Sequence, residues 1–458
     1  MKTPIKGKSN PWIDRFHGLD DIETVKARTR VQAVPLADLD CDSPKEACAR
    51  MLRAFQDIFY PTQRNSEIIR DVIQSARGHA TLYYGDGRSR MERVYLEKLD
   101  IDPYVPMLLT GPAGTGKTQI RKAIGRLLAE ESDVKLDAGH GSVPLVAMRS
   151  VTVRARNSIS ALLRPLASPD VARGISKASV AELPDDAAHW QYLCGVCLIA
   201  IDELQFLTLS RLANTFIAQA LMALTYVKTP ILVAANYSLG HRLLRRPAEE
   251  KHRLLGNHIV LLPDSADSDD WREVLREYQS AVPGVFDFDF GDLARPLWNF
   301  SAGIKRVVVA LLVFAYALAR RQCRTVVTWM DVEAAYVSSE FSASRGDIEA
   351  LIMHGFGSAA LPESLRCPFP VPESEEGRYE DDLRKARQSK IASASLDASM
   401  SEKERKAGRA LANAPNPPGS VIAQTNKSTR VGPRPTKRTA QSMKNEAENF
   451  RNSLSRRR

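Results

Sequence analysis

The octapeptide GPAGTGKT, residues 111–118, separates an apolar run (Val105–Leu109) from a helical pattern that begins at Gln119. Strand, glycine-rich loop and helix in that order form the context of a phosphate-binding loop. Gly111, Pro112, Ala113, Gly114, Thr115 and Gly116 put little side chain between backbone N–H groups and a bound anion. Lys117 is spaced to reach β/γ-phosphate oxygens, Thr118 to offer a hydroxyl to Mg²⁺, and the helix start adds its partial positive charge. The motif predicts ATP and Mg²⁺ as ligands. A chance glycine-rich turn is the alternative, and the flanking patterns argue against it.

A second stretch, CLIAIDE at residues 197–203, is an apolar strand pattern ending in two carboxylates. Such a run suits a central parallel strand covered on both faces by helices. Asp202 at its carboxyl end is expected to hold the Mg²⁺ shell, and Glu203 to orient and deprotonate the attacking water. A solvated Asp-Glu loop pair is the plainer reading, but so apolar a strand seldom ends in two charges by accident. A third apolar stretch, Pro230–Ala235, is followed by Asn236. That asparagine is either a sensor of the γ-phosphate or lytic water, or an ordinary turn residue at a strand end.

Charge is informative once located. The 458 residues carry 64 Lys/Arg against 54 Asp/Glu, a net +10. All of that excess lies in residues 401–458, so residues 1–400 are balanced. Six cysteines are too sparse for a disulfide scaffold. Cys194 and Cys197 form a lone C-x-x-C without the second pair a zinc site normally needs, so buried thiols are expected. Residues 1–18 carry no signal-peptide core, and the longest apolar run, Val307–Ala319, is shorter than the ~20 residues of a membrane span.

Strand and helix patterns alternate from Val105 to about Leu262, as in a doubly wound α/β sheet. Strands are expected at Val105–Thr110, Val143–Met148, Cys197–Ile201, Pro230–Ala235 and His258–Leu262. One helix is expected over Leu239–Leu254 and another over Phe300–Arg321. The division expected is an N-terminal adaptor (1–90), a nucleotide-binding α/β domain (91–265), a helical lid (266–365) and a largely disordered basic tail (366–458).

GPAGTGKT, CLIAIDELQFL with its Asp-Glu-x-Gln signature, Asn236, the upstream YPTQRNSEIIRDVI segment and DWREVLREYQ (270–279) together resemble the AAA+ regulators of DNA transposition, of the TnsC, TniB and MuB type. The resemblance spans roughly residues 55–340 and is closest to TnsC-like proteins. It implies a P-loop AAA+ ATPase that assembles on DNA as a ring or filament, links a target-selector protein to a transposase, and uses hydrolysis to time disassembly. It also implies a bacterial, cytoplasmic, DNA-associated protein. In the same frame, Gly303 and Arg306 resemble a sensor-two pattern, against a solvated basic pair. Arg253, among Arg242, Arg245 and Arg246, is the candidate for an arginine reaching a neighbour's nucleotide, against a solvated helix face. The segment Arg149–Asn157, after the second strand, would face DNA, with Arg154 and Arg156 contacting phosphates without reading bases, against an exposed basic loop. A helicase-loader or replication-initiator AAA+ protein would need a DNA-reading module after the lid. A STAND-type signalling switch would need helical repeats there.

Overall fold

Met107–Gly111, Leu198–Asp202 and Ile231–Asn236 are apolar along almost their whole length, and in the computed structural model they are adjoining central strands of one parallel sheet. The structure describes residues 10–85, 87–95, 99–128, 132–137, 141–153, 158–204 and 213–401. In chain order the strands are β1 (Met107–Gly111), β2 (Ser132–Asp137), β3 (Gly141–Leu145), β4 (Met148–Thr152), β5 (Leu198–Asp202), β6 (Ile231–Asn236) and β7 (Asn257–Val260). The main sheet runs β4-β5-β6-β1-β7 with every pair parallel, while β2 and β3 form a separate antiparallel hairpin. The chain is a P-loop-type α/β protein.

Strand alternation divides the sheet's side chains between two cores. Ile199, Ile201, Ile231, Val233 and Ala235 enter one, which continues into the lid. Leu198, Ala200, Leu232, Met107 and Leu109 enter the other. The second core also holds Val25, Ile68, Ile69, Val72 and Ile73 from the helices Ile22–Thr29 and Gln63–Tyr84, packed with Ile120 and Ile124 of the P-loop helix Lys117–Leu127. The helices Ile22–Thr29 and Gln63–Tyr84 thus cover one face of the sheet, and Ala47, Met51 and Phe55 of the helix Pro44–Asp57 enter the other core, so the described part of the expected adaptor is packed into the protein. An all-apolar strand demands helices on both faces, and this segment supplies part of one of them.

Several sequence-based boundaries move. The second strand of the sheet is Met148–Thr152, and Val143–Leu145 belongs to the hairpin instead. Arg149 therefore lies within an edge strand paired to β5, not after it; Arg154 and Arg156 lie outside the described residues. The expected helix 239–254 is two helices, Tyr237–Leu244 and Ala248–Leu255, because Pro247 lacks the N–H a continuous helix would use. The expected helix 300–321 starts at Lys305, after a 105° bend from the helix Ala294–Ser301. Val308, Leu311, Leu312, Ala315 and Ala319 of this apolar helix are buried in the protein core. The expected tail boundary at 366 is also displaced. Phe369, Val371, Tyr379, Leu383 and Ala386 are buried, and a helix runs Glu373–Ser399. Spaced apolar residues in a polar helix were enough to bury one stripe. The rest of the expected tail, from 402, lies outside the described residues.

Candidate nucleotide site

Parallel register places the candidate residues along one edge. Gly111 at the end of β1 stands beside Asn236 at the end of β6, and β6 pairs on its other side with β5, which ends at Asp202. Open α/β sheets bind ligands outside the carboxyl ends of their strands, where loops and helix N-termini converge. A cavity of about 560 Å³ opens there, lined by Gly114, Lys117, Thr118, Asp202, Glu203, Asn236 and Arg306.

In the loop, Gly114 and Gly116 take φ of +93° and +111°, which turns successive N–H groups towards one side. A Cβ on Gly114 would also lie 2.6 Å from Cβ of Arg306. Lys117, 8% exposed, donates its ammonium to the carbonyls of Gly111 and Pro112, both at 2.8 Å. Burial pushes its pKa down to about 7, reinforced by Arg306 and opposed by Glu203 and Asp202. Phosphate oxygens would reverse that balance, because an anion at contact favours the charged amine. At about pH 8 the amine of the nucleotide-free site is mostly neutral, so ATP binding should take up as much as about one proton. Calorimetry in buffers of different ionisation enthalpy measures this, and a buffer-independent heat at that pH would count against it.

Asp202 is 5% exposed. Its Oδ2 pairs with Arg121 Nε at 3.2 Å, and its Oδ1 accepts the Glu203 backbone N–H at 2.9 Å. A carboxylate has about four acceptor sites, so it retains capacity for a metal-bound water. Asp202 and the Thr118 hydroxyl, with a substrate phosphate, would supply the hard-oxygen set that suits Mg²⁺. Arg121 was not foreseen from sequence, although its place four residues after Lys117 puts it on the same helix face. Glu203 adopts φ +63°, a conformation uncommon for residues other than glycine and often found at functional positions. Asn236 is the residue before the helix Tyr237–Leu244 yet makes no side-chain capping bond. It stands in the cavity wall.

Arg306 reaches the site because the lid folds back onto the loop. Ala302 and Gly303 take φ +49° and +72°, and a Cβ at Gly303 would lie 2.6 Å from both the Asp264 carbonyl and Trp298 Nε1. The backbone N–H of Arg306 then donates to the Gly114 carbonyl at 3.1 Å. Neighbouring Lys305 is committed to Asp264 at 2.8 Å. Beside the polar Gln56, Asn65 and Gln119, the wall carries an apolar and aromatic patch of Phe55, Ile58, Tyr60, Val274 and Tyr278 from the N-terminal layer and the lid helix Asp269–Ala281. It offers a nucleobase-sized surface that no local motif announced.

The basic cluster before β7 sorts by pairing. Arg245 pairs with Glu363, and Arg246 with Glu250. Arg253 is exposed on the helix Ala248–Leu255 and does not line the cavity. The C-x-x-C thiols are fully buried, Arg15 donates to Cys197 Sγ at 2.6 Å, and burial pushes the Cys197 pKa up to about 11. Such thiols are poor nucleophiles.

Neither a protein-family model nor a curated protein matches the chain. Solved structures similar to it include the Aeropyrum pernix ORC1 protein in complex with DNA, at 23% identity and TM-score 0.36, with 54% of this chain and 60% of that chain covered. The Aeropyrum pernix ORC2 protein in ADPNP–ADP complexes is similar at 14% identity and TM-score 0.37, over 70% of this chain and 94% of that one. A katanin structure concerned with self-assembly is similar at 16% identity and TM-score 0.36, over 69% and 98%. With TM-scores this low, the likenesses carry no argument about what this chain does.

Proposed function

We propose that this chain is an AAA+ ATPase that regulates DNA transposition, assembling on DNA and coupling target selection to transposase recruitment. The observation that carries the ATPase part is the convergence of Lys117, Thr118, Asp202, Glu203, Asn236 and Arg306 on one cavity. They come from the loop after β1, the ends of β5 and β6, and the lid. In this reading Lys117 and the loop N–H groups bind the β- and γ-phosphates. Bound Mg²⁺, held by Thr118 and through the Asp202 shell, would neutralise phosphate charge. Glu203 accepts the proton of the attacking water, Asn236 orients that water or the γ-phosphate, and Arg306 meets the charge that develops on the transferred group.

Arg306→Ala should then lower turnover by about 10–100-fold while weakening ATP binding much less, because developing charge is felt most in the transition state. Parallel losses in affinity and rate would instead make Arg306 a ground-state ligand. The transposition part rests on the sequence resemblance, including the Asp-Glu-x-Gln signature and the segments 60–73 and 270–279. Its partners are DNA bound through the backbone, further copies of this chain with Arg253 acting in trans, a transposase and a target selector. The test is ATP turnover with and without duplex DNA, together with sedimentation of the protein–DNA mixture. DNA-stimulated turnover and ATP-dependent assemblies are expected. A protein that hydrolyses ATP but ignores DNA would overturn the transposition reading, and one that does not hydrolyse ATP would overturn both.

A further inference from the structure

Residues 261–268 join β7 to the lid helix Asp269–Ala281, and a side chain from more than a hundred residues later grips that joint. Asp382, 2% exposed, lies on the helix Glu373–Ser399. Its Oδ2 accepts the Ser265 hydroxyl at 2.7 Å and the Ala266 backbone N–H at 3.0 Å. Its Oδ1 accepts Arg295 Nη1 at 2.7 Å, and Arg295 Nη2 donates to the Asp382 carbonyl at 3.2 Å. One carboxylate thus ties the joint to the helix Ala294–Ser301. About one turn earlier, Tyr379 donates its hydroxyl to the Ala302 carbonyl at 3.1 Å. Its ring stands edge-on to Trp298, with centroids 5.9 Å apart. Burial raises the phenol's pKa, so it remains a donor.

Ala302 is half of the left-handed pair that bends the lid by 105° and returns Arg306 to Gly114. A non-glycine residue in that conformation is strained and persists only when its surroundings hold it. Tyr379 is one such hold on the bend, and Asp382 holds the joint on its other side. No residue of the helix Glu373–Ser399 lines the nucleotide cavity. Through Tyr379 it acts on the site by way of the bend.

We propose that Tyr379 and Asp382 are positioning residues for ATP turnover: the helix Glu373–Ser399 braces the Ala302–Gly303 bend so that Arg306 stays at the phosphate-binding loop. The consequence for turnover rests on the ATPase reading above; the brace itself does not. A displacement of about 1 Å at a group that meets transition-state charge can cost on the order of a hundredfold in rate, so a small loosening suffices.

The test uses the full chain. Tyr379→Phe removes one hydroxyl and keeps the ring, while Asp382→Asn keeps the volume and removes the charge. Tyr379→Phe should lower kcat about tenfold with ATP affinity changed less than about twofold. In an Arg306→Ala background the same substitution should change kcat by less than about twofold, because the two residues act through one contact. An equal fold-loss in both backgrounds overturns the proposal. Hydrogen exchange reads the brace without nucleotide. The Arg306 amide, bonded to the Gly114 carbonyl, should exchange faster in both variants, while the interior of the helix Lys117–Leu127 should not change. Unaltered Arg306 exchange in Tyr379→Phe overturns the proposal. Wild-type protein without ATP turnover would sink the functional reading alone, since the exchange comparison still decides the brace.

Discussion

Lys117→Ala should abolish nucleotide binding. The ammonium is nearly buried and is held by the Gly111 and Pro112 carbonyls at the cavity wall, so it is already placed where β/γ-phosphate oxygens arrive. Alanine removes the charge and leaves no group able to take its position. Arg121 is engaged with Asp202, Lys305 with Asp264, and Arg306 enters from the lid. Losing one partner of a buried, charge-assisted contact typically costs about 2–5 kcal/mol, or roughly 30- to several-thousand-fold in affinity, and the upper end of that range takes micromolar binding out of calorimetric range. The fold should survive, because the substitution removes a buried amine whose charged form burial disfavours. ATP affinity equal to that of the unsubstituted protein would show that GPAGTGKT is not the phosphate site.

Glu203→Gln should separate binding from hydrolysis. Glutamine keeps the volume of the side chain and can occupy the same backbone conformation at φ +63°, but it cannot accept the proton of the attacking water. Turnover should fall by about 10²–10⁴-fold while ATP still binds. If hydrolysis times disassembly, this variant should accumulate on DNA as larger and longer-lived assemblies than the unsubstituted protein, visible by negative-stain microscopy. Normal turnover in the variant would mean that another residue activates the water. Loss of ATP binding would instead mean that Glu203 supports the shape of the site.

Much of the centre of this protein could be read along the chain. The phosphate loop is local, because its glycines, lysine and threonine act through backbone placed within eight consecutive residues. The central strands are nearly as local: LIAID and ILVAA are too apolar to stand anywhere but between two helical layers. The pairing of Gly111 with Asn236 then brought the asparagine foreseen at a strand end to the edge shared with Asp202.

Other features depend on contacts that sequence spacing does not encode. The N-terminal segment looked like an adaptor because its amphipathic helices carry no sign of which surface they cover; packing laid Ile22–Thr29 and Gln63–Tyr84 on one face of the sheet and placed Phe55 and Tyr60 in the cavity. A single helix pattern over 300–321 concealed the Ala302–Gly303 bend, since neither residue is a helix breaker as strong as proline, yet Arg306 depends on that bend to reach the loop. The segment 366–399 reads as polar and unstructured because its buried residues are few. Asp382 and Tyr379 become structural only when Ser265, Arg295 and Ala302 are folded around them. Sequence alone determined the local chemistry, since a phosphate loop and an all-apolar strand each satisfy their requirements within a few residues. Tertiary structure alone decided which distant side chains complete the site, because burial and hydrogen bonding at Arg306, Asp382 and Tyr379 are supplied by other parts of the chain.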